Sequence, residues 1–133
     1  MRRETVFRIA SMTKPITALA VMQLVEAGKL SVNDPVEKHL PEFKGLMVAV
    51  EQDEQHVLLK KPVRPITVRH VLSHTSGMKF SSVMEKPTLD MLTLKDAVRS
   101  YAMTPLQHEP DSKYQYSNAG INTAARILEA VSG

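Results

Sequence analysis

The sequence contains no cysteine and no tryptophan, and it has no long uninterrupted apolar run. The absence of cysteine excludes disulfide bonds and thiol catalysis, although it leaves the redox compartment open. A membrane-spanning helix needs about 18 apolar residues in a row, and no segment approaches that length. The opening residues Met1-Arg2-Arg3-Glu4 lack the apolar core of a signal peptide, so a cytoplasmic location is expected if the chain is intact.

Charge and aromatic content disfavour a nucleic-acid-binding function. The formal net charge is only +3, and the chain has three tyrosines and three phenylalanines. The basic residues are scattered or form short groups such as Lys60-Lys61, whereas nucleic-acid-binding surfaces concentrate them on one face. The length of 133 residues, 43% of them hydrophobic, suits a single domain over residues 1–133.

A long amphipathic helix is predicted near the start of the chain. Apolar residues recur at helical spacing over residues 16–25, and Gly28 follows where a helix is expected to end. Pro15 is tolerated only in the first turn of a helix, because that turn can spare the backbone N–H that proline lacks. These signals place the start of the helix near Ser11.

The rest of the chain is predicted to be mostly helical with one small hairpin. Residues 46–50 and 57–60 flank a polar segment and predict two paired strands. Thr67 and Thr93 have the side chain and position of helix caps, and Asn118 is expected to cap the last helix. The predicted fold class is therefore mainly α.

The tetrapeptide Ser11-Met12-Thr13-Lys14 is the first candidate for chemistry. At a spacing of three, a helix places the Lys14 amine beside the Ser11 hydroxyl. A desolvated lysine in that position can accept the proton of the serine and make it a nucleophile. The alternative is an N-cap serine followed by a solvated lysine, and the tetrapeptide alone does not separate the two.

Three segments in order extend this signal: residues 7–15 around Ser11, residues 70–78 with the run His-Val-Leu-Ser-His-Thr-Ser-Gly-Met, and residues 116–120 with Tyr-Ser-Asn-Ala-Gly. Together they resemble the serine β-lactamase and penicillin-recognising superfamily, and within it the branch of class C β-lactamases, D-Ala-D-Ala peptidases and β-lactamase-like esterases. Residues 28–36 and 40–43 continue the resemblance. It implies the helical part of the β-lactamase-like fold.

The resemblance also implies roles for four residues. Ser11 is the acylated nucleophile, Lys14 its proton acceptor and electrostatic partner, Tyr116 a phenol or phenolate in proton transfer, and Asn118 a donor to the amide of the substrate. Tyrosine and lysine both hold their protons at neutral pH when unperturbed, so proximity is needed to turn one of them into a base. No cofactor and no metal are expected.

His70 and His74 lie at helical spacing and raise the question of a metal site. A third ligand is needed, and Val71 stands where the glutamate of a His-Glu-x-x-His motif belongs. In the family that the chain resembles, the His-Thr-Ser-Gly run at residues 74–77 is a turn that supports the site. That structural role is the expectation for His74.

The chain also departs from the family pattern. The third motif, a Lys or His followed by a small residue and Gly on a sheet strand, does not follow Tyr116. In the family, that strand supplies the second oxyanion N–H, and losing one such donor costs about 3 kcal/mol. Asp111 stands where glycine is common, which suggests a reshaped loop. Residues 1–133 therefore correspond to a truncated domain, the serine helix plus the helical subdomain, without most of the α/β sheet.

These observations predict a weak serine hydrolase that acts through an acyl-serine intermediate on small esters or β-lactams. The alternatives are a non-catalytic helical scaffold or binding remnant, and one fragment of a longer or split hydrolase completed by another chain. Apolar faces that the missing sheet leaves uncovered predict a homo-oligomer or a complementing chain. The residues assigned to those faces are Ile16, Leu19, Ala20, Leu24, Ile121, Ala125 and Leu128.

Overall fold

The structure is a computed structural model that describes residues 1–87 and 91–133. Short 3-10 turns at Ala10–Met12 and Pro41–Phe43 accompany the regular elements. In chain order, the helices and strands are α1 (Thr13–Glu26), α2 (Val36–His39), β1 (Val48–Gln52), β2 (Val57–Lys60), α3 (Val68–Leu72), α4 (Leu94–Ala102) and α5 (Asn118–Ser132). The prediction of a mainly α chain with one small hairpin is confirmed.

Helix α1 ends where the sequence predicts and begins slightly later. Ser11 lies in the 3-10 turn ahead of α1 rather than at its first residue. At the other end, Gly28 has a φ of 70°. The Gly28 and Lys29 amides donate to the Val25 and Leu24 carbonyls, each at 3.0 Å. These two hydrogen bonds satisfy carbonyls that the end of a helix leaves unpaired. The left-handed φ of Gly28 is one that glycine adopts without strain.

Helix α5 is the centre of the helical packing and contacts α1, α3 and α4. Its N-cap is Ser117, whose side-chain oxygen accepts from the Gly120 N–H at 3.0 Å. The predicted cap, Asn118, is instead the first residue of the helix, so that assignment was wrong by one position. The largest fully buried side chains around α5 include Leu106, Ile127, Val21, Val36, Val68, Val71 and Val98.

The hairpin is present, with its first strand two residues later than predicted. Strands β1 and β2 pair antiparallel, with Val48 opposite Lys60 and an irregularity between Ala49 and Glu51. Backbone hydrogen bonds tie β1 to the body of the chain, from the Ala49 N–H to the Leu106 carbonyl at 2.9 Å and from the Leu106 N–H to the Met47 carbonyl at 2.8 Å. The buried Val48 and the half-buried Ala49 begin the strand, and its last three residues are exposed.

The two threonine caps are confirmed. The Thr67 side chain accepts from the His70 N–H, and the Thr93 side chain accepts from the Asp96 N–H. His70 completes a capping box, since its Nδ1 accepts the Thr67 N–H at 3.2 Å. Within residues 1–87 and 91–133, no helix combines the length and apolar character needed to span a membrane.

Candidate active site

Ser11 and Lys14 meet at the junction of the 3-10 turn and α1. The Lys14 Nζ donates to the Ser11 Oγ at 3.1 Å. Ala10, just before the serine, has a φ of 47°, so the chain enters the turn through a strained left-handed residue. The spacing of three residues thus brings the two side chains together as the sequence predicts.

Tyr116 joins this pair from the far end of the chain. Its hydroxyl donates to the Ser11 Oγ at 2.8 Å across a sequence separation of 105 residues. The packing of α5 against α1 makes the approach possible, because Tyr116 lies two residues before the start of α5. The Ser11 oxygen therefore accepts hydrogen bonds from both of the groups that the sequence assigned to proton transfer.

The electrostatics of the cluster favour ionisation of the phenol. A hydrogen bond with the Lys14 ammonium lowers the pKa of Tyr116 from its ordinary 10.0, the hydrogen bond with Ser11 lowers it further, and desolvation opposes both. The Lys14 Nζ also lies 4.9 Å from the centroid of the Tyr116 ring. The side chain of Tyr116 is 39% exposed, so solvent screens part of this effect.

The rings of His74 and Phe80 lie against Tyr116, and the sequence predicted neither contact. The centroid of the His74 ring is 4.7 Å from that of Tyr116, and the Phe80 ring stacks at 6.2 Å. Tyr114 meets His74 edge-on at 5.8 Å. The resemblance marked the run at residues 74–77 as a supporting turn, and this was the signal for His74, whereas Phe80 follows no motif that identifies it.

Backbone hydrogen bonds hold the loop after α3 against the segment that leads into α5. The Gln107 N–H donates to the Gly77 carbonyl at 2.7 Å, and the Ala119 N–H donates to the Phe80 carbonyl at 3.0 Å. Gly77 has a φ of 80°, and a Cβ there would lie 2.2 Å from the His108 carbonyl oxygen. Only glycine allows the two segments to approach this closely.

Asp111 adds another hydrogen bond between the loop after α3 and the segment that leads into α5. Its φ of 70° is the conformation that a glycine at this position would adopt without strain. Aspartate tolerates that region better than most residues, and its carboxylate also pairs with Arg64 at 3.1 Å. The Asp111 N–H donates to the Thr75 carbonyl at 2.8 Å. Asp111 therefore adopts a left-handed turn and adds an ion pair with Arg64.

Asn118 lies two residues beyond Tyr116 at the first position of α5. Its Oδ1 is buried and has no hydrogen-bond partner in the described part of the chain. A buried amide oxygen without a partner is costly, so such atoms often mark a position that a ligand or another group completes. Asn118 is therefore close to Tyr116 along the chain, and its amide oxygen is a buried acceptor without a partner in the described residues.

His70 lies apart from this cluster. It is buried in the capping box of α3, and burial, followed by the charges of Arg64 and Arg69, lowers its pKa, while Asp111 raises it. Among residues 1–87 and 91–133, no three or more His, Asp or Glu side chains are grouped so as to hold a metal ion.

The apolar face of the serine helix is only partly as predicted. Ile16 is 58% exposed and Leu19 is 63% exposed. Ala20, Leu24, Ala125 and Leu128 are half-buried. Ile121 was assigned to the uncovered surface, and this was wrong, because it is buried at 7% exposure in the core that surrounds α5.

Comparisons with known proteins identify the family and the fold of the chain. Residues 1–133 match the sequence profile of the family described as Beta-lactamase. Esterase EstB of Burkholderia gladioli is 35% identical over 145 residues, which cover 100% of this chain and 34% of the esterase. The chain thus spans about a third of the length of that relative.

Two solved structures share the fold. EstCE1, described as a hydrolase with promiscuous acyltransferase activity, superposes with a TM-score of 0.77 at 36% identity, covering 100% of this chain and 35% of EstCE1. Simvastatin synthase LovD of Aspergillus terreus, without ligand, gives a TM-score of 0.76 at 26% identity, with 100% and 35% covered. The fold is therefore the helical part of the β-lactamase-like fold, and the chain belongs to the beta-lactamase family.

Proposed function

We propose that this chain carries the nucleophile and the proton-transfer groups of a serine hydrolase that acts on small esters, with β-lactams as poorer substrates. The observation that carries the proposal is the double hydrogen bond at the Ser11 Oγ, from Lys14 at 3.1 Å and Tyr116 at 2.8 Å. A nucleophile within hydrogen-bond reach of its base is the arrangement that acyl transfer requires.

In the first step, the Ser11 oxygen attacks the carbonyl carbon of the ester. The proton of the Ser11 hydroxyl moves to the Tyr116 phenolate, or to the Lys14 amine when that group is neutral. A bond forms between the Ser11 Oγ and the acyl carbon, the bond to the alcohol oxygen breaks, and that oxygen takes up the proton from the group that accepted it. Lys14 stabilises the phenolate by its charge, in keeping with the lowered pKa of Tyr116.

In the second step, water attacks the acyl-serine and returns the enzyme to its starting state. The same base takes a proton from water, the bond between the Ser11 Oγ and the acyl carbon breaks, the base gives that proton to the Ser11 Oγ, and a carboxylic acid is released. The side-chain amide of Asn118 is assigned to donate a hydrogen bond, through its Nδ2, to an oxygen in the acyl part of the substrate. Its place two residues after Tyr116, in the segment Tyr-Ser-Asn at residues 116–118, supports this assignment.

For this 133-residue chain assayed alone, activated esters are favoured over β-lactams, because the described residues contain no sheet other than the β1–β2 hairpin. A strand beside the serine would supply a second oxyanion donor, and one such donor is worth about 3 kcal/mol. A good leaving group lowers the demand for that stabilisation, whereas an amide bond does not.

Labelling of Ser11 tests the proposal directly. A fluorescent fluorophosphonate and a fluorescent penicillin are each incubated with the chain, and the labelled peptide is identified by mass spectrometry. Ser11→Ala is expected to abolish labelling and turnover of a nitrophenyl ester, while the control Ser73→Ala, an exposed serine outside the cluster, leaves both intact. Labelling that survives in Ser11→Ala would refute the nucleophile assignment.

An unlabelled wild-type chain would favour the non-catalytic scaffold or a fragment that needs a complementing chain. These two outcomes are separated by their response to the remainder of a full-length relative supplied as a second chain. Labelling that appears only on mixing identifies a split hydrolase. A chain that stays unlabelled in the mixture is a scaffold or a binding remnant.

A further inference from the structure

His74 occupies an unusual backbone position beside the candidate site. Its φ of 60° lies in the left-handed region, which most residues other than glycine avoid. The Gln115 N–H donates to the His74 carbonyl at 2.7 Å and holds the backbone there. Because histidine is not required by this conformation, its side chain is the feature that needs an explanation.

The side chain makes two contacts with the segment that carries Tyr116. The ring Nδ1 accepts the Ser117 N–H at 3.2 Å. The ring face lies 4.7 Å from that of Tyr116, with an angle of 32° between the planes. One side chain therefore fixes both the residue that donates to Ser11 and the backbone amide that follows it.

We propose that His74 is a positioning residue for Tyr116. As a neutral imidazole, His74 anchors the Ser117 amide and supports the Tyr116 ring. Protonation of His74 weakens the contact between Tyr116 and Ser11. The proposal rests on the function proposed above for Ser11 and Tyr116. It adds a role that belongs to the side chain of His74 rather than to the turn that contains it.

The contacts of His74 require the neutral form. An Nδ1 that accepts the Ser117 N–H carries no proton, so the neutral ring holds its proton on Nε2. Protonation would place one N–H against another and break the anchor. The charged and titratable groups around the ring are Lys14 from α1 together with Tyr114 and Tyr116 from the segment before α5.

The surroundings of His74 lower its pKa on balance. Burial, followed by the positive charge of Lys14, lowers the pKa of His74 from its ordinary 6.5, and the hydrogen bond with Ser117 opposes them in part. The neutral form therefore predominates at neutral pH and persists somewhat below 6.5. The expected consequence is a fall in the acylation of Ser11 at acid pH, with a midpoint below 6.5.

Nuclear magnetic resonance of the whole chain tests the coupling without relying on activity. With ring-labelled histidine and tyrosine, the Tyr116 signal is assigned by its loss in Tyr116→Phe. In the wild type, that signal is expected to shift with the same midpoint as the His74 ring. In His74→Asn the shift disappears. Asparagine suits the left-handed backbone and can still accept from the Ser117 N–H, but it neither titrates nor provides a ring.

His70→Asn is the matched control. His70 also accepts a backbone N–H through its Nδ1, from Thr67, but it belongs to the capping box of α3. The acid shift of the Tyr116 signal should remain in His70→Asn. If it vanishes there as well, or if the wild-type Tyr116 signal does not follow the titration of His74, the proposed coupling is wrong.

The rate of Ser11 labelling as a function of pH provides the second readout. His74→Asn is expected to lower the rate at pH 8 by about 10-fold or more, because small misplacements of catalytic groups are costly, and to remove the acid limb of the profile. An unchanged acid limb overturns the proposal. A wild type that shows the coupled titration yet is never labelled at Ser11, either alone or mixed with the complementing chain, refutes the proposed hydrolase function while supporting the link from His74 to Tyr116.

Discussion

The replacement of Tyr116 by phenylalanine tests the role of one hydroxyl group with little disturbance elsewhere. The change removes the donor that lies 2.8 Å from the Ser11 Oγ and keeps the ring that contacts His74 and Phe80. The side chain is 39% exposed, so the phenylalanine leaves no buried cavity and no buried polar group without a partner. Stability should therefore be nearly unchanged.

The effect on acylation should be large in comparison. A lost general base costs about 10²-fold to 10⁴-fold in rate. We expect a loss of about 100-fold or more with a β-lactam, equivalent to about 2.7 kcal/mol of the activation barrier. A nitrophenyl ester should suffer less, because its leaving group departs without needing a proton. Lys14→Ala should cost a similar factor with the β-lactam, since it removes the charge that lowers the pKa of Tyr116.

Stopped-flow or gel-based labelling with a fluorescent penicillin measures the acylation rate for each variant. Tyr114→Phe is the matched control, since Tyr114 is an exposed tyrosine in the same segment whose ring meets His74 edge-on. Circular dichroism establishes that each variant is folded. Near-normal acylation in both Tyr116→Phe and Lys14→Ala would refute the mechanism and leave Ser11 as a reactive surface residue.

Two further predictions concern association and stability. Light scattering at micromolar concentration should report a dimer or larger species. Leu19 is 63% exposed, and Leu19→Glu should dissociate that species. A stable monomer in both proteins would contradict this prediction. Stability should fall as the pH drops below 6.5, because burial lowers the pKa of both His70 and His74 and the unfolded chain then binds more protons. Urea midpoints between pH 7.5 and pH 5 measure this loss, at most about 1.4 kcal/mol per pH unit for each histidine, and it should diminish in His70→Asn.

The sequence predicted elements whose signals are local. Gly28 ended α1 because a left-handed residue closes a helix, and Thr67 capped α3 because its hydroxyl reaches a free amide. The hairpin was found from its flanking apolar runs, but its first strand was misplaced by two residues. Its true start at Val48 depends on pairing with Leu106, a contact across the chain that no local pattern reveals.

In the candidate site too, the contacts set by local sequence spacing were predictable, and the contacts set by tertiary packing were not. The contact of Ser11 with Lys14 follows from helical spacing, whereas the approach of Tyr116 came only from the ordered motifs of a known family. The ring contacts of Phe80 and His74 depend on how two loops meet, which sequence spacing does not encode. The burial of Ile121 was missed for a related reason, since periodicity shows that a face is apolar but not which neighbour covers it.

The small number of buried residues in α1 affects how the candidate site comes apart when the chain begins to unfold. In that helix, all of which lies in the described part of the chain, Val21 is the one residue fully buried. Helix α5, by contrast, buries six residues: Ala119, Gly120, Ile121, Thr123, Ala124 and Ile127. Because α1 buries fewer residues than α5, local unfolding is expected to begin at α1. Ser11 and Tyr116 then separate while the core around α5 stays folded. Inactivation on heating would then precede the melting of the core, and a partner that clamps α1 would widen the temperature range over which the site is assembled.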